Sequence, residues 1–422
     1  MSPATVKPWV VAAHLGALVL TISTASSVSF QLPIIARKAF GANDWQTLLI
    51  TSAPAVLLIL SIFWGDLLGR MSLGRYLLTY WLCALVPLAG IALAGSFWLF
   101  AVCFLVAAAG GAAWPAVQGE IMKNLYPDRL RGRIYGLIIT FTTLAAAGGS
   151  LLLGHWLKAD AEAFRTFLPI ATVVQGVGLT CMVLILRLTG VHAARGHDAS
   201  KDTRSIVRRV IEPLTHTRQV LREDVVFARY QGAFMTYGAA WMICEALKPV
   251  LMTDRLHLDY AQIGTNAFMA FQLAVVLCTF IAGMLMDRLG PTRLCVLAFG
   301  LYPLYPIMLM LGQNSQHLML ASVIYGVCSA GVNAGWLLGP VALAPTPAKV
   351  PQYVAIHASM VGLRGTVFQF AGMAIYKATG SFAVSFSLAA IGFAWASWQM
   401  WQLHKLMVAR KRAGVGIGIG KL

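Results

Sequence analysis

Three ionisable side chains sit where the surrounding sequence is too apolar to be hydrated. They are Glu245 and Lys248 in the run 229–252, and Arg364 in the run 353–376. A charge at the centre of a bilayer costs about 2.5–3.5 kcal/mol, so such groups pair, face water or line the path of a polar solute. Tyr237, Trp241, Glu245 and Lys248 recur at i, i+4, i+8 and i+11, which on a helix is one face. Two aromatic rings followed by an acid and a base predict the wall of a wet cavity. Glu245 is the candidate to trade a proton there. Arg364 stays charged and is a fixed partner for an anion, either Glu245 or a carboxylate or phosphate on a solute. Lys248 stands near the end of its run and can instead reach the interface. Pro249 removes a backbone donor and can kink the helix. The plainer alternative is a Glu245–Lys248 or Glu245–Arg364 pair that only ties helices together.

Weaker candidates surround this set. His14 lies in a first apolar run crowded with Thr21, Ser23, Thr24, Ser26, Ser27, Ser29 and Gln31, so one side of that helix is expected to meet water or another helix. Trp114, and Asn333 with Trp336, occupy matching places in the fourth and tenth runs; they could stack on a solute or simply pack. His357 and Gln369 flank Arg364 and could orient it.

The elements that position these residues follow from composition. The chain has 422 residues, 59% apolar or aromatic and 11% charged, with mean hydropathy +0.74. Soluble domains carry about 25% charged residues, so an ordinary water-soluble enzyme and a disordered chain are both excluded. Runs long enough to cross a bilayer lie near 9–32, 46–65, 76–95, 97–119, 134–157, 166–187, 229–252, 265–286, 293–312, 318–343, 353–376 and 382–403. The predicted class is an all-α integral membrane protein of twelve helices. Its expected parts are a six-helix bundle at 1–187, a cytoplasmic linker at 188–228, a second bundle at 229–404 and a basic, Gly-rich tail at 405–422. SIVRRVIEPL and HTRQVLREDVV in the linker could lie on the membrane as amphipathic helices or form a loose connection. The first run could pass for a signal peptide, but it is too long and more spans follow, so a retained helix is expected.

With the N-terminus cytoplasmic, 24 Lys and Arg fall inside and 6 outside, the bias that orients membrane proteins. It puts both termini in the cytoplasm. It also accounts for the net charge of +17 without nucleic acid. Seven cysteines lie in apolar runs with no CxxC pair, which predicts buried thiols rather than a metal site. The terminal GVGIGIGKL lacks the strand and the Ser/Thr of a phosphate loop, and Gly-rich stretches such as 107–113 predict close helix contacts.

The halves repeat. GDLLGRMSLGR at 65–75 lies over GMLMDRLGPTR at 283–293, and AAAGGAAWP around Trp114 lies over SAGVNAGWL around Trp336. Because each half has an even number of spans, the repeats run parallel. The segment at 283–293 resembles the loop signature of the Major Facilitator Superfamily: Gly283, then Asp287-Arg288, then a glycine and the basic Arg293. The N-terminal copy departs from it, with Gly69 in place of the acid and Ser72 in place of a glycine; Asp66, beside Arg70, stands one turn earlier. The resemblance implies two parallel six-helix repeats and a cavity lined by the first, fourth, seventh and tenth spans. It also implies a cytoplasmic latch in which the loop acid takes part. Glu120, Arg131 and Arg133 crowd the same rim and could pair with Asp287, Arg288 or Arg293, or could simply obey the charge bias.

The expected activity is secondary active transport of a small organic solute, anionic or zwitterionic, driven by protons and needing no cofactor. A pump for lipophilic cations held by Glu245 is the alternative, as is a receptor-like protein that binds without transport. A membrane enzyme is disfavoured because neither HExxH nor GxSxG occurs. The partners expected are the bilayer, the solute and H+, with no nucleic acid, and the protein is expected to be a monomer. Short loops and the lack of an organelle-targeting segment suggest a bacterial inner membrane.

Overall fold

The computed structural model describes residues 7–191, 217–346 and 349–413, and every regular element among them is helical. We label them α1 (Pro8–Lys38), α2 (44–70), α3 (Leu73–Leu93), α4 (Phe97–Leu125), α5 (Asp128–Ala159) and α6 (Phe164–Leu188). Then follow α7 (Val225–Val250), α8 (260–289), α9 (291–311), α10 (Ser315–Leu343), α11 (Val350–Thr379) and α12 (Phe382–Arg412). SIVRRVIEPL, most of the 188–228 linker and the GVGIGIGKL tail lie outside the described residues; from HTRQVLREDVV, residues 217–223 are helical and lead into α7.

Among the described residues, eight helical stretches are long and apolar enough to cross a membrane. One of them, Tyr260–Leu311, has 52 residues and is folded in two at Gly290, whose φ of 75° and ψ of 168° break the helix. That conformation is open to glycine and strained for other residues, and Pro291 then starts the next helix with the φ it prefers. Large apolar side chains such as Phe280, Leu277, Leu152 and Leu93 are exposed, as the outside of a multi-pass membrane protein requires.

Short polar residues mark where helices begin. Asn43 accepts from the Gln46 amide at 2.9 Å while the Gln46 side chain takes the Asn43 amide. Asp259 and Gln262 repeat this capping box ahead of α8. Asp224 caps α7 through the Phe227 amide, and Asn314 caps α10 through the amides of Gln316 and His317. Each satisfies backbone donors that the first helical turn leaves open. Winding loosens near two prolines: a π-helical stretch at Trp81–Leu85 precedes Pro87, and another at Leu251–Arg255 follows Pro249. A proline withholds one i→i−4 donor, so a carbonyl is freed and the turn can widen.

The chain divides into two compact units, residues 1–203 with 259–265, and residues 204–258 with 266–422. In the first unit α1 packs on α5 and α6, α2 on α4, and α3 on α4 and α6. Its core joins Tyr76, Tyr126, Val117, Ile121 and Leu186. The α3–α4 contact is so close that a Cβ on Gly110 would meet the Cys83 backbone and lie 2.6 Å from the Ala84 nitrogen. In the second unit α7 packs on α11 and α12, while α8 and α9 pack on α10. Its core is a chain of rings, with Tyr237 stacked on Phe299 at 4.7 Å and Tyr302 on Phe393 at 4.6 Å. All seven cysteines are free thiols, and Cys244, Cys295 and Cys328 are buried.

Gly110→Ala should lower stability by about 1–3 kcal/mol, because backbone cannot step aside for the methyl group. Gly111, with open space at the Cβ position, should gain about 0.5–1 kcal/mol as alanine. Thermal unfolding of the two variants in detergent checks this: equal melting temperatures would show that α3 and α4 are not in backbone contact there.

Candidate functional site

The face of α7 anticipated from spacing is formed, and each member has a definite partner. Lys248 Nζ donates to both carboxylate oxygens of Glu245 at 2.8 Å, so of the two partners considered for the acid it is the lysine that takes it. The side chains are 14% and 25% exposed. The i,i+3 spacing on one helix makes this pairing cheap, since neither backbone has to move. Tyr325 of α10 closes over it: its hydroxyl accepts from Trp241 Nε1 at 2.7 Å, and Lys248 Nζ stands 5.4 Å from its ring centroid. Tyr325 stacks in turn on Tyr305 and Phe271. Two turns away, the Tyr237 hydroxyl donates to that of Tyr302 at 3.1 Å, and Tyr302 reaches Ser329 at 2.8 Å.

Arg364 is only 4% exposed, and among the described residues no carboxylate pairs with it. One terminal nitrogen donates to the Phe234 carbonyl of α7 at 2.8 Å, the guanidinium carbon lies 5.9 Å from the Tyr237 ring, and Nε has no partner. The side chain lies across Gly238, where an added Cβ would overlap Cδ, Nε and Cζ. The glycine therefore provides the groove that holds the arginine against α7. Gly238 and Glu245 are seven residues apart on one helix, so the ion pair and the guanidinium are about 10 Å apart along the axis at 1.5 Å per residue.

His357 and Gln369 of α11 are both buried. His357 Nδ1 bonds Gln231 Oε1 at 2.8 Å, leaving His357 Nε2 and Gln231 Nε2 without partners. Gln369 Nε2 reaches Met242 Sδ at 3.3 Å, and its Oε1 has none. Trp336 comes within 5.5 Å of the His357 ring, whereas Asn333 is exposed. The second unit thus brings together Tyr237, Trp241, Glu245, Lys248, Arg364, His357, Gln369 and Trp336 around α7.

His14 and Trp114 belong to the first unit and serve its packing. His14 is 1% exposed, bonds the Tyr126 hydroxyl at 2.7 Å and stacks on that ring; Trp114 packs on Tyr80 at 5.4 Å. The polar side of α1 meets a neighbouring helix: Ser23 and Ser27 donate at 2.9 Å to the Thr142 and Ala146 carbonyls of α5.

The rim residues take local partners. Asp66 pairs with Arg70 at 2.8 Å, Glu120 accepts from Asn124 at 2.9 Å, and Arg131 donates to the Lys123 and Tyr126 carbonyls. Arg133, Asp287 and Arg288 are exposed, and Gly283 has open space at its Cβ position. Arg293 Nε donates to His404 Nε2 at 2.9 Å, and the other nitrogen of that ring bonds Thr292 Oγ1 at 3.0 Å.

Sequence reasoning missed Tyr325, Tyr302, Ser329 and Gln231. The tyrosines read as apolar members of their runs, and Gln231 lies outside the face defined by Tyr237 and Trp241. The available signal was the presence of hydroxyls and an amide in lipid-spanning runs, each of which needs a partner.

Glu245→Ala strands Lys248 as a largely buried cation and should cost about 1–3 kcal/mol. Glu245→Ala/Lys248→Ala removes both charges and should melt higher than the single variant. A double variant that melts below the single one would show that the two side chains do not act as a pair.

The Major Facilitator Superfamily model matches residues 230–404. Among curated proteins, none matches the chain by sequence. Among solved structures, the peptide transporter POT in complex with sulfate is similar with a TM-score of 0.72 at 15% identity, covering 96% of this chain and 95% of that one. A point mutant of the nucleoside transporter NupG is similar with a TM-score of 0.67 at 13% identity, covering 93% of this chain and 99% of that one. A bacterial homolog of the human lysosomal transporter Spinster, inward-facing and unoccupied, is similar with a TM-score of 0.60 at 16% identity, covering 96% of each chain. The family's sequence pattern thus lies in the second unit, and the chain shares the fold of these solved structures along nearly its whole length.

Proposed function

We propose that the chain is a secondary active transporter that moves a small organic anion or zwitterion, coupled to protons. The observation that carries this reading is the charge balance on α7 and α11. Glu245 and Lys248 neutralise each other, which leaves Arg364 as a buried cation with no carboxylate partner among the described residues. An uncompensated charge in the membrane is costly, and a carboxylate or phosphate arriving from outside the protein removes that cost by bidentate pairing. The unpartnered Arg364 Nε and Gln231 Nε2 are donors available to it.

Glu245 provides the coupling. Protonation removes the charge that holds Lys248 and leaves only a weaker acceptor, so the ammonium is released and adds a second cation for the substrate; loss of the proton restores the pair and expels the anion. Two bundles, 1–187 and 229–404, alternate the exposure of the site, with twelve crossings and both termini cytoplasmic in a bacterial inner membrane, as the fourfold charge bias supports. The rim set of Asp66, Arg70, Glu120, Arg131, Arg133, Gly283, Asp287, Arg288 and Arg293 closes the cytoplasmic side. Exposed pairs contribute only about 0–1 kcal/mol each, so such a latch is readily reversed.

A thermal-shift screen of metabolites on purified protein identifies the solute, because a ligand at one hundred times its Kd stabilises by about 2.7 kcal/mol. In proteoliposomes with an imposed pH gradient, labelled 5-aminolevulinate and alanylalanine serve as first probes beside any hit. Glu245→Gln should abolish gradient-driven accumulation while sparing exchange, and Arg364→Gln should raise KM at least about tenfold, the scale of a lost charged hydrogen bond. Full pH-driven accumulation by Glu245→Gln removes that residue from the mechanism, and an unchanged KM in Arg364→Gln removes the anion site.

A further inference from the structure

In the first unit, α3 and α6 leave between them a cavity of about 590 Å³ lined by Ser72, Gly74, Arg75, Leu78, Val183 and Arg187. It lies where α3 begins and α6 ends, the end of the unit that the basic-residue bias places at the cytoplasmic face. Its two walls are built alike. On α3, Arg75 is followed one turn deeper by Leu78; on α6, Arg187 is preceded one turn deeper by Val183. Each wall therefore presents a cation at the mouth and an aliphatic side chain toward the membrane interior.

Both arginines are exposed. Among the described residues neither guanidinium has an ion-pair or hydrogen-bond partner, unlike Arg70 and Arg131 of the same unit. Leu78 is 56% exposed and continues the apolar outer surface with Leu184 and Leu188. Two like charges converging on one opening repel each other unless an anion lies between them, and guanidinium forks suit the oxygens of a phosphate. Aliphatic walls beneath the charges are wasted on a free inorganic ion but match the first methylenes of an acyl chain.

We propose that the α3–α6 cavity is a binding site for an anionic phospholipid of the cytoplasmic leaflet. The phosphate sits between Arg75 and Arg187, and the start of one acyl chain lies against Leu78 and Val183. The lipid neutralises the two cations and fills the gap between the helices, so it fastens α3 to α6. This site is separate from the α7–α11 charges and does not depend on what the protein transports.

Native mass spectrometry of the full chain, released from mixed micelles holding equal phosphatidylglycerol and phosphatidylcholine, tests it. The wild type should retain phosphatidylglycerol in preference to phosphatidylcholine. Arg75→Gln/Arg187→Gln should lose roughly tenfold or more of it, since each basic residue contributes about 1 kcal/mol toward anionic lipid. Val183→Trp, which blocks the apolar depth without changing charge, should lose it as well, with gel filtration confirming that both variants stay monodisperse. Arg410→Gln/Arg412→Gln, an equal charge change on α12, should keep it. Equal retention of the two lipids, an undiminished adduct in the Arg75/Arg187 variant, or the same loss in the α12 variant would overturn the proposal. Stabilisation by millimolar inorganic phosphate equal to that by phosphatidylglycerol would assign the cavity to a free anion and overturn the lipid.

Discussion

Lipid offers no hydrogen bonds, and most of the polar architecture of this protein answers that fact. A hydroxyl or amide placed in a spanning helix must find its partner in the protein, and a charge must find an opposite one. Most of the chain meets the demand locally. Thr21 bonds the Ala17 carbonyl of its own helix, Ser23 and Ser27 cross to carbonyls of α5, and Lys248 folds back onto Glu245 three residues earlier. Among the described residues twelve buried side-chain atoms lack a hydrogen-bond partner, and four of them, Arg364 Nε, His357 Nε2, Gln231 Nε2 and Gln369 Oε1, belong to the packed pair α7 and α11. Four buried polar atoms without partners within one helix pair are costly for stability alone. In the proposed reading, a partner that arrives with the substrate offsets that cost.

Packing decides where those atoms can be. Without a hydrophobic force between helices in lipid, close approach rests on small residues, and two glycines show the principle in different ways. Gly110 lets the backbones of α3 and α4 touch. Gly238 instead opens a slot for the Arg364 side chain, so a missing methyl group on α7 determines the position of a charge on α11. Behind the slot, the rings of Tyr237, Phe299, Tyr302 and Phe393 form a rigid support. Tyr325 supports the Glu245–Lys248 pair from α10 through Trp241. The site is carried on helices throughout, which keeps its charges in register.

At the membrane boundary, short-range pairs prevail. Asp66–Arg70 and Glu120–Asn124 are contacts within about one turn of one helix, weak and quickly exchanged in water. His404 differs, because Arg293 and Thr292 hold it from two sides and so join α9 to α12. Arg75 and Arg187 differ again, since neither has a protein partner among the described residues and both face a cavity open to the apolar surface.

The lipid environment, the helical class, most helix positions and the Glu245–Lys248 spacing were all legible in the chain itself. They depend on quantities local in sequence: hydropathy summed over about twenty residues, Asx caps at helix starts, and an i,i+3 offset that leaves an acid and a base side by side. The Gly290–Pro291 break was equally local, and it divides a 52-residue apolar stretch as the predicted runs do. Only tertiary structure settled that Arg364 bonds a backbone carbonyl rather than Glu245, that Tyr325 caps the ion pair, and that His14 packs against Tyr126. Those outcomes join residues from 84 to 130 positions apart. At that separation the partner is chosen by which helices lie adjacent and how small their facing residues are, and neither periodicity nor composition along one helix contains that information.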